Sequence, residues 1–153
     1  LSYLPQPEKR LFSLSDLLHN LEELLQTNFQ ENNISFTLRC SPEPMMTEGD
    51  EKQLSQVFLN LLKNAMQALE GHPHGELSLQ AEQDEYIVID ITDNGPGIPP
   101  EIMDKVFIPF FTTKSEGTGI GLSLCKEIIR RHEGHLAIKE SRAGKTVFHI
   151  ELP

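Results

Sequence analysis

The sequence predicts an α+β chain: a two-layer α/β sandwich in which three helices pack on one face of a mixed, mostly antiparallel sheet. Two long stretches repeat apolar residues at i, i+3, i+4 and i+7 with an alternating run between them, and a third periodic stretch follows a Gly/Pro-rich segment. Two pairs of alternating runs, each joined by a short turn, read as hairpins. With 153 residues, 38% of them hydrophobic, the chain has enough apolar material for one domain with a real core.

Residues Leu1 to Phe12 carry Pro5, Pro7 and the charged Glu8, Lys9 and Arg10, which suits a linker entering a domain at residue 13. Ser13 or Ser15 then caps a helix whose buried stripe is Leu14, Leu17, Leu18, Leu21, Leu24, Leu25 and Phe29, ended by Asn32-Asn33. Ile34, Phe36 and Leu38 alternate as a strand, and Pro42 and Pro44 break it before a short extended segment near Met45. Asp50 caps a second helix with the stripe Leu54, Val57, Phe58, Leu61, Leu62, Ala65 and Leu69, stopped by Gly71 and Pro73. Glu76 to Gln83 and Tyr86 to Thr92 form a hairpin around Asp84-Glu85. A lid of about residues 95–118 follows, rich in Gly, Pro, Phe and Thr, with one helical turn at Pro100 to Val106. Thr118 to Glu133 is the third helix, with Gly134 as its stop, and His135 to Lys139 and Thr146 to Leu152 flank a turn at Ala143-Gly144.

A net charge of −10 argues against a nucleic-acid partner, since Arg130-Arg131 is the sole adjacent basic pair within the expected domain. Apolar runs such as Leu59 to Leu62 end well short of the roughly 20 residues a membrane span needs. No direct membrane insertion is expected. Cys40 and Cys125 lack metal-type C-x-x-C spacing and read as buried small apolar residues in a reducing compartment, so the expected location is cytoplasmic. The start at Leu1 without a signal pattern reads as a piece of a longer protein, which itself could be membrane-anchored.

The chemistry-bearing residues cluster in three places. Asn60 and Asn64 are four apart on the second helix, so both amides share one face. Flanked by Leu59, Leu61 and Leu62 they need partners, and an amide oxygen suits a Mg²⁺ bridging phosphates; a solvent-facing polar pair is the alternative. Asp93 ends the apolar strand Ile87-Val88-Ile89-Asp90-Ile91, where its carboxylate can accept from the exocyclic amine of adenine or close an Asx-turn at Asp-Asn-Gly. Gly95 and Gly97 around Pro96 make a tight turn leading into Ile98. Gly117, Gly119 and Gly121 open the third helix, where bare N–H groups can approach phosphate oxygens; lid flexibility is the alternative. Lys114 can bring a point charge to a terminal phosphate or be a surface lysine. Gly144-Lys145-Thr146 is not a P-loop tail, because its first glycine position holds Lys139 and a strand follows it.

In order, these blocks resemble the catalytic ATP-binding domain of bacterial sensor histidine kinases, in the Bergerat-fold (GHKL) superfamily that includes DNA gyrase and MutL. Gln56 to Ala65 resembles the N box, Asp93 to Gly97 the G1 box, Phe107-Ile108-Pro109-Phe110-Phe111-Thr112-Thr113-Lys114 the F box, and Gly117-Thr118-Gly119-Ile120-Gly121 the G2 box. The lid and the Asn-Ala-x-Gln-Ala helix are most similar to the nitrogen-regulation type. The resemblance implies a Bergerat fold with an ATP lid, binding ATP and Mg²⁺. It implies Asn64 as the principal Mg²⁺ ligand with Asn60 in support, Asp93 on adenine N6, and Lys63 near the phosphates. It implies Gly95, Gly97, Ile98, Phe107, Thr113, Lys114, Gly117, Thr118, Gly119, Ile120, Gly121 and Leu122 as further nucleotide-binding residues, with the G2 backbone holding the phosphates. Thr146 resembles the last-hairpin threonine that reaches an adenine-side water, although Lys145 stands where a small residue is common.

Hydrolytic relatives place a glutamate where this chain has Asn60, and an amide cannot take a proton from water. The resemblance therefore implies phosphoryl transfer to an external histidine, with Asn60, Asn64 and Lys114 as the catalytic set. That histidine belongs to a dimerisation hairpin upstream, because none of His19, His72, His74, His132, His135 or His149 sits in an acceptor motif; the six read as ordinary surface or strand histidines. The implied partners are that dimerisation/phosphoacceptor domain and a response-regulator receiver domain. An anti-sigma-type serine kinase and a non-catalytic nucleotide-binding module are the alternatives, disfavoured by the apparent linker and by the intact Asn64, Asp93 and G2 glycines respectively.

Overall fold

The structure, a computed structural model, describes residues 4–111 and 121–153. Strand β1 (Arg10–Ser13) runs directly into helix α1 (Leu14–Glu31), because the Ser13 hydroxyl accepts from Asp16 N at 3.1 Å and starts the first turn. Buried Ser15 instead accepts from Met45 N at 2.9 Å and ties the helix to the next connection. Asn32 is the C-cap and Asn33 takes a φ of 55°, a left-handed value asparagine tolerates.

Strands β2 (Ile34–Ser41) and β3 (Met46–Gly49) lead to helix α2 (Glu51–Ala68), capped by Asp50 through Oδ1 to Gln53 N at 3.1 Å. Strands β4 (Gly75–Gln83) and β5 (Ile87–Asp93) form the first hairpin. A 3-10 turn at Pro100–Ile102 follows, then helix α3 (Gly121–Arg131) and the hairpin β6 (His135–Arg142) to β7 (Lys145–Leu152). The main sheet has the order β2-β4-β5-β7-β6, with β2 parallel to β4 and every other pair antiparallel.

Helix α1 packs on β2, α2 on β5 and α3 on β6, so the three helices form one layer. The inward residues of β4 and β5, Leu77, Leu79, Ala81, Ile87, Ile89 and Ile91, meet Leu18, Phe58, Leu61, Cys125 and Ile128 from the helices. Outward residues such as Gln80 and Glu82 remain exposed, as expected for a sheet covered on one face.

Several local expectations need correction. Arg10–Ser13 is a strand paired antiparallel with β3. The residues before it also dock: Gln53 Nε2 donates to Pro5 O (2.9 Å), Arg131 Nη1 to Leu4 O (2.7 Å) and Glu8 N to Asp50 Oδ2 (3.0 Å). Proline content marks where a chain is extended, not whether it finds a partner. Strand β6 runs three residues past Lys139, beyond a register shift between Ile138 and Glu140. Cys40 is only half-buried, whereas Cys125 is in the core. His132 is buried too: its Nε2 accepts from Asp50 N (3.0 Å), so Nδ1 carries the proton and donates to Ile128 O (2.8 Å).

Helix α3 ends at Arg131 rather than Glu133, and Gly134 stops it for another reason than backbone freedom. The left-handed residue is Glu133, with φ of 62°, and Gly134 N bonds to Ile129 O. A Cβ on Gly134 would lie 2.3 Å from Glu151 O, so glycine is needed there for close approach to β7.

Candidate nucleotide site

Asn60, Asn64 and Ala68 lie at i, i+4 and i+8 on α2 and share one stripe. Its two ends have definite neighbours. Asn60 acts on the buried thiol of Cys125 in α3, a thiol that burial pushes up to about 12. Ala68 abuts the turn after β5, where a Cβ on Gly95 would stand 3.1 Å from Ala68 O and 3.4 Å from Ala68 Cβ. Half-buried Asn64 therefore lies between α3 and the Asp93–Gly97 turn.

Asp93 ends β5 on its inward face, 4% exposed, where its alternation with Ile87, Ile89 and Ile91 puts it. Oδ1 accepts from Gly95 N at 2.9 Å, forming the Asx-turn, and Oδ2 has no partner among the described residues. Burial raises the carboxyl above the ordinary aspartate range, with the Gly95 N–H opposing. Thr146, also 4% exposed, is directly opposite Asp93 on β7. The turn and adenine readings of Asp93 are thus compatible, since one oxygen suffices for the turn.

Neighbouring strands hold that turn rigidly. Gly144 N donates to Gly95 O (2.8 Å), and Ile98 N donates to Ser141 Oγ (2.8 Å), itself 3.4 Å from Thr146 Oγ1. Asn94 Oδ1 accepts from Glu76 N and its Nδ2 donates to His74 O. Gly97 takes φ of +85°, and a Cβ there would meet Arg142 O at 2.6 Å, so both its conformation and its contact exclude a side chain. Ile98 and Leu122 pack on the core edge. Phe107 sits edge-on to Phe148 with centroids 6.4 Å apart, beneath Lys126 Nζ at 4.3 Å.

Gly121 and Leu122 are half-buried at the start of α3. Thr113, Lys114, Gly117, Thr118, Gly119 and Ile120 fall outside the described residues. Lys63 is exposed and lines a cleft of about 450 Å³ between α1 and α2, with Leu24, Asn28, Leu59 and Met66. It therefore does not share the Asn60–Asn64–Ala68 stripe. A second cleft, of about 440 Å³, opens by Ser35, Glu76, Ser78 and Lys145 on the outer sheet face. Neither includes Asn60 or Asn64, although Lys63 lines the first and Asp93, with Thr92, Asn94 and Gly144, lines the second.

Sequence reasoning missed Ser141, Asn94 and Cys125 as parts of this framework. Asn94 had a local signal in Asp-Asn-Gly, whereas Ser141 and Cys125 depend on pairing and packing across the fold.

The chain is 38% identical over 144 residues to sporulation kinase C of Bacillus subtilis, covering 92% of this chain and 33% of that protein. To the sensory histidine kinase/phosphatase NtrB of Rhodobacter capsulatus it is 34% identical over 161 residues, covering 96% and 44%. It thus spans about a third to under half the length of these two curated relatives. Among solved structures, the catalytic domain of histidine kinase ThkA superposes with a TM-score of 0.86 at 32% identity, covering 95% of each chain. Histidine kinase ThkA in complex with response regulator protein TrrA gives 0.80 at 30%, covering 95% of this chain and 41% of that one. The family described as histidine kinase-, DNA gyrase B-, and HSP90-like ATPase matches residues 49–153, which include α2, the Asp93 turn and α3, and the chain belongs to this ATP-binding family.

Proposed function

We propose that this chain is the catalytic domain of a protein-histidine kinase, holding Mg²⁺-ATP for transfer of its γ-phosphoryl group to a histidine on a separate dimerisation domain. The observation that carries this reading is the α2 stripe Asn60–Asn64–Ala68, which offers two amides and no carboxylate toward α3 and the Asp93 turn. An amide cannot accept the proton of an attacking water, so the stripe suits positioning rather than hydrolysis.

Each residue has a limited role. Asp93 presents Oδ2 to the adenine amine while Oδ1 holds its own turn. Asn64, supported by Asn60, fits Mg²⁺ because amide oxygens are hard, neutral donors. Bound Mg²⁺ neutralises charge on the phosphates. Thr146, beside Asp93, joins the adenine side, and Gly121 with Leu122 opens α3 toward the phosphates. Lys114, Thr113 and the backbone of 117–120 are assigned to the phosphate side from their place in the sequence. Lys63 stands in the α1–α2 cleft and is the weakest member of the phosphate set.

The names of the similar proteins support a two-component setting, with a response-regulator receiver domain as the downstream partner. Among the described residues no helix is long and apolar enough to cross a membrane, and a cytoplasmic location is part of the proposal. Calorimetric titration with ATP and Mg²⁺ tests the site. Asp93→Asn exchanges a charged acceptor for a neutral amide, and a hydrogen bond to a charged group worth roughly 1.5–3 kcal/mol predicts a loss of about 10- to 100-fold in affinity. Asn64→Ala is expected to abolish the Mg²⁺ dependence of binding. Undiminished affinity in the first variant, or unchanged metal dependence in the second, refutes the corresponding assignment.

A further inference from the structure

His19 on α1, Cys40 near the end of β2 and Glu43 in the connection to β3 converge at one corner, with one ligand atom from each lying within 4.8 Å of the other two. The corner is remote from Asp93. The ladder aligns Asp93 with Leu77 and Phe36, and Cys40 lies four residues further along β2, roughly 13 Å at the usual rise per residue. His19 Nε2 is 2.7 Å from Glu43 Oε1, and Nδ1 is 3.8 Å from Glu22 Oε1.

We propose that His19 Nε2, Cys40 Sγ and Glu43 form a binding site for a zinc-class divalent transition metal. The set combines imidazole, thiolate and carboxylate, which favours a borderline ion such as Zn²⁺ over the oxygen-seeking Mg²⁺ and Ca²⁺. Tetrahedral Zn²⁺ bonds place ligand atoms about 3.4–3.6 Å apart, so the cluster needs shifts of about 1 Å. His19 and Glu43 can supply them, being 45% and 47% exposed side chains. Glu22 stands 3.8 Å from the other ring nitrogen, within range to become the outer carboxylate partner of a metal-bound imidazole once the ring shifts. The fourth position is left to water.

The electrostatics agree with the geometry. Glu43 and Glu22 both act on Cys40, so two carboxylates face the corner and favour a cation there. Metal binding forms the metal–sulfur bond and releases the thiol proton to solvent. A bound ion would link α1 to the β2–β3 connection, beside the Leu14 N to Met45 O bond of 2.7 Å.

Titration of the metal-free, phosphine-reduced chain with Co²⁺ tests this independently of nucleotide. Expected is one equivalent giving an intense near-ultraviolet thiolate-to-cobalt band with the visible bands of four-coordinate cobalt, both displaced by Zn²⁺. Cys40→Ser is expected to remove the near-ultraviolet band, and His19→Ala and Glu43→Gln to weaken binding at least tenfold. Cys125→Ala keeps the band, because Cys125 is buried between α2 and α3. Zn²⁺ should also raise the thermal midpoint of the unmodified chain but not of Cys40→Ser. Cobalt bound without a thiolate band, as by His72 or His74 alone, or a band that survives Cys40→Ser, overturns the site.

Discussion

Asp93 is a carboxylate folded into a place that disfavours its charge. Its folded pKa is raised, so the chain is relatively most stable with Asp93 protonated, and that contribution is lost as pH rises through the folded value. Asp93→Asn keeps an acceptor for Gly95 N–H and carries no charge. At pH 7 the variant should therefore be at least as stable as the parent toward urea, with the difference shrinking as pH falls and the parent carboxyl protonates. A variant less stable at every pH would show that the carboxylate serves the fold rather than the ligand. Asp93 was legible in the sequence because strict alternation from Ile87 fixes its face. His132 and Ser141 were not, because their partners, Asp50 N and Ile98 N, lie 82 and 43 residues away.

At the scale of elements, α1 and α2 were readable because cap and stripe agree at each helix start, although Leu24, expected in the buried stripe of α1, is exposed at its edge. Strand β1 was not, because its ladder to β3 is non-local and its flanking prolines resemble a linker. Strand β6 lost its tail to the register shift after Ile138, which breaks the alternation that periodicity depends on. Three glycines separate the physical causes of such constraints. Gly144 has φ of +89° with open space, Gly134 has a 2.3 Å backbone contact without positive φ, and Gly97 has both a +85° φ and a 2.6 Å contact. Gly144→Ala should cost about 1 kcal/mol, from backbone strain alone. Gly97→Ala should cost more, roughly 2–4 kcal/mol, since Arg142 backbone must also move. Denaturant midpoints that reversed this order would refute the close approach between the Asp93 turn and the β6–β7 turn.

Across the whole molecule, α2 is a beam of 18 residues, about 27 Å long, joining two differently employed ends. Its first turn meets the N-terminal segment and His132, and its last turn meets Gly95 and the candidate nucleotide site. Removing residues 1–9 takes away the bonds to Gln53, Arg131 and Asp50 and leaves the Gln53 amide nitrogen, in a 7% exposed residue, without its acceptor. At about 1 kcal/mol per hydrogen bond the loss is roughly 3 kcal/mol, or about 6–12 °C in thermal midpoint for a chain of this size. ATP at 100 times its dissociation constant stabilises a binding-competent fold by about 2.7 kcal/mol through mass action. Because the two ends of α2 share no side chain, the shortened chain should melt earlier yet gain the same increment from ATP and Mg²⁺ as the full chain. Paired thermal scans with and without nucleotide decide this, and an increment lost on truncation would mean that the N-terminal segment helps to build the site.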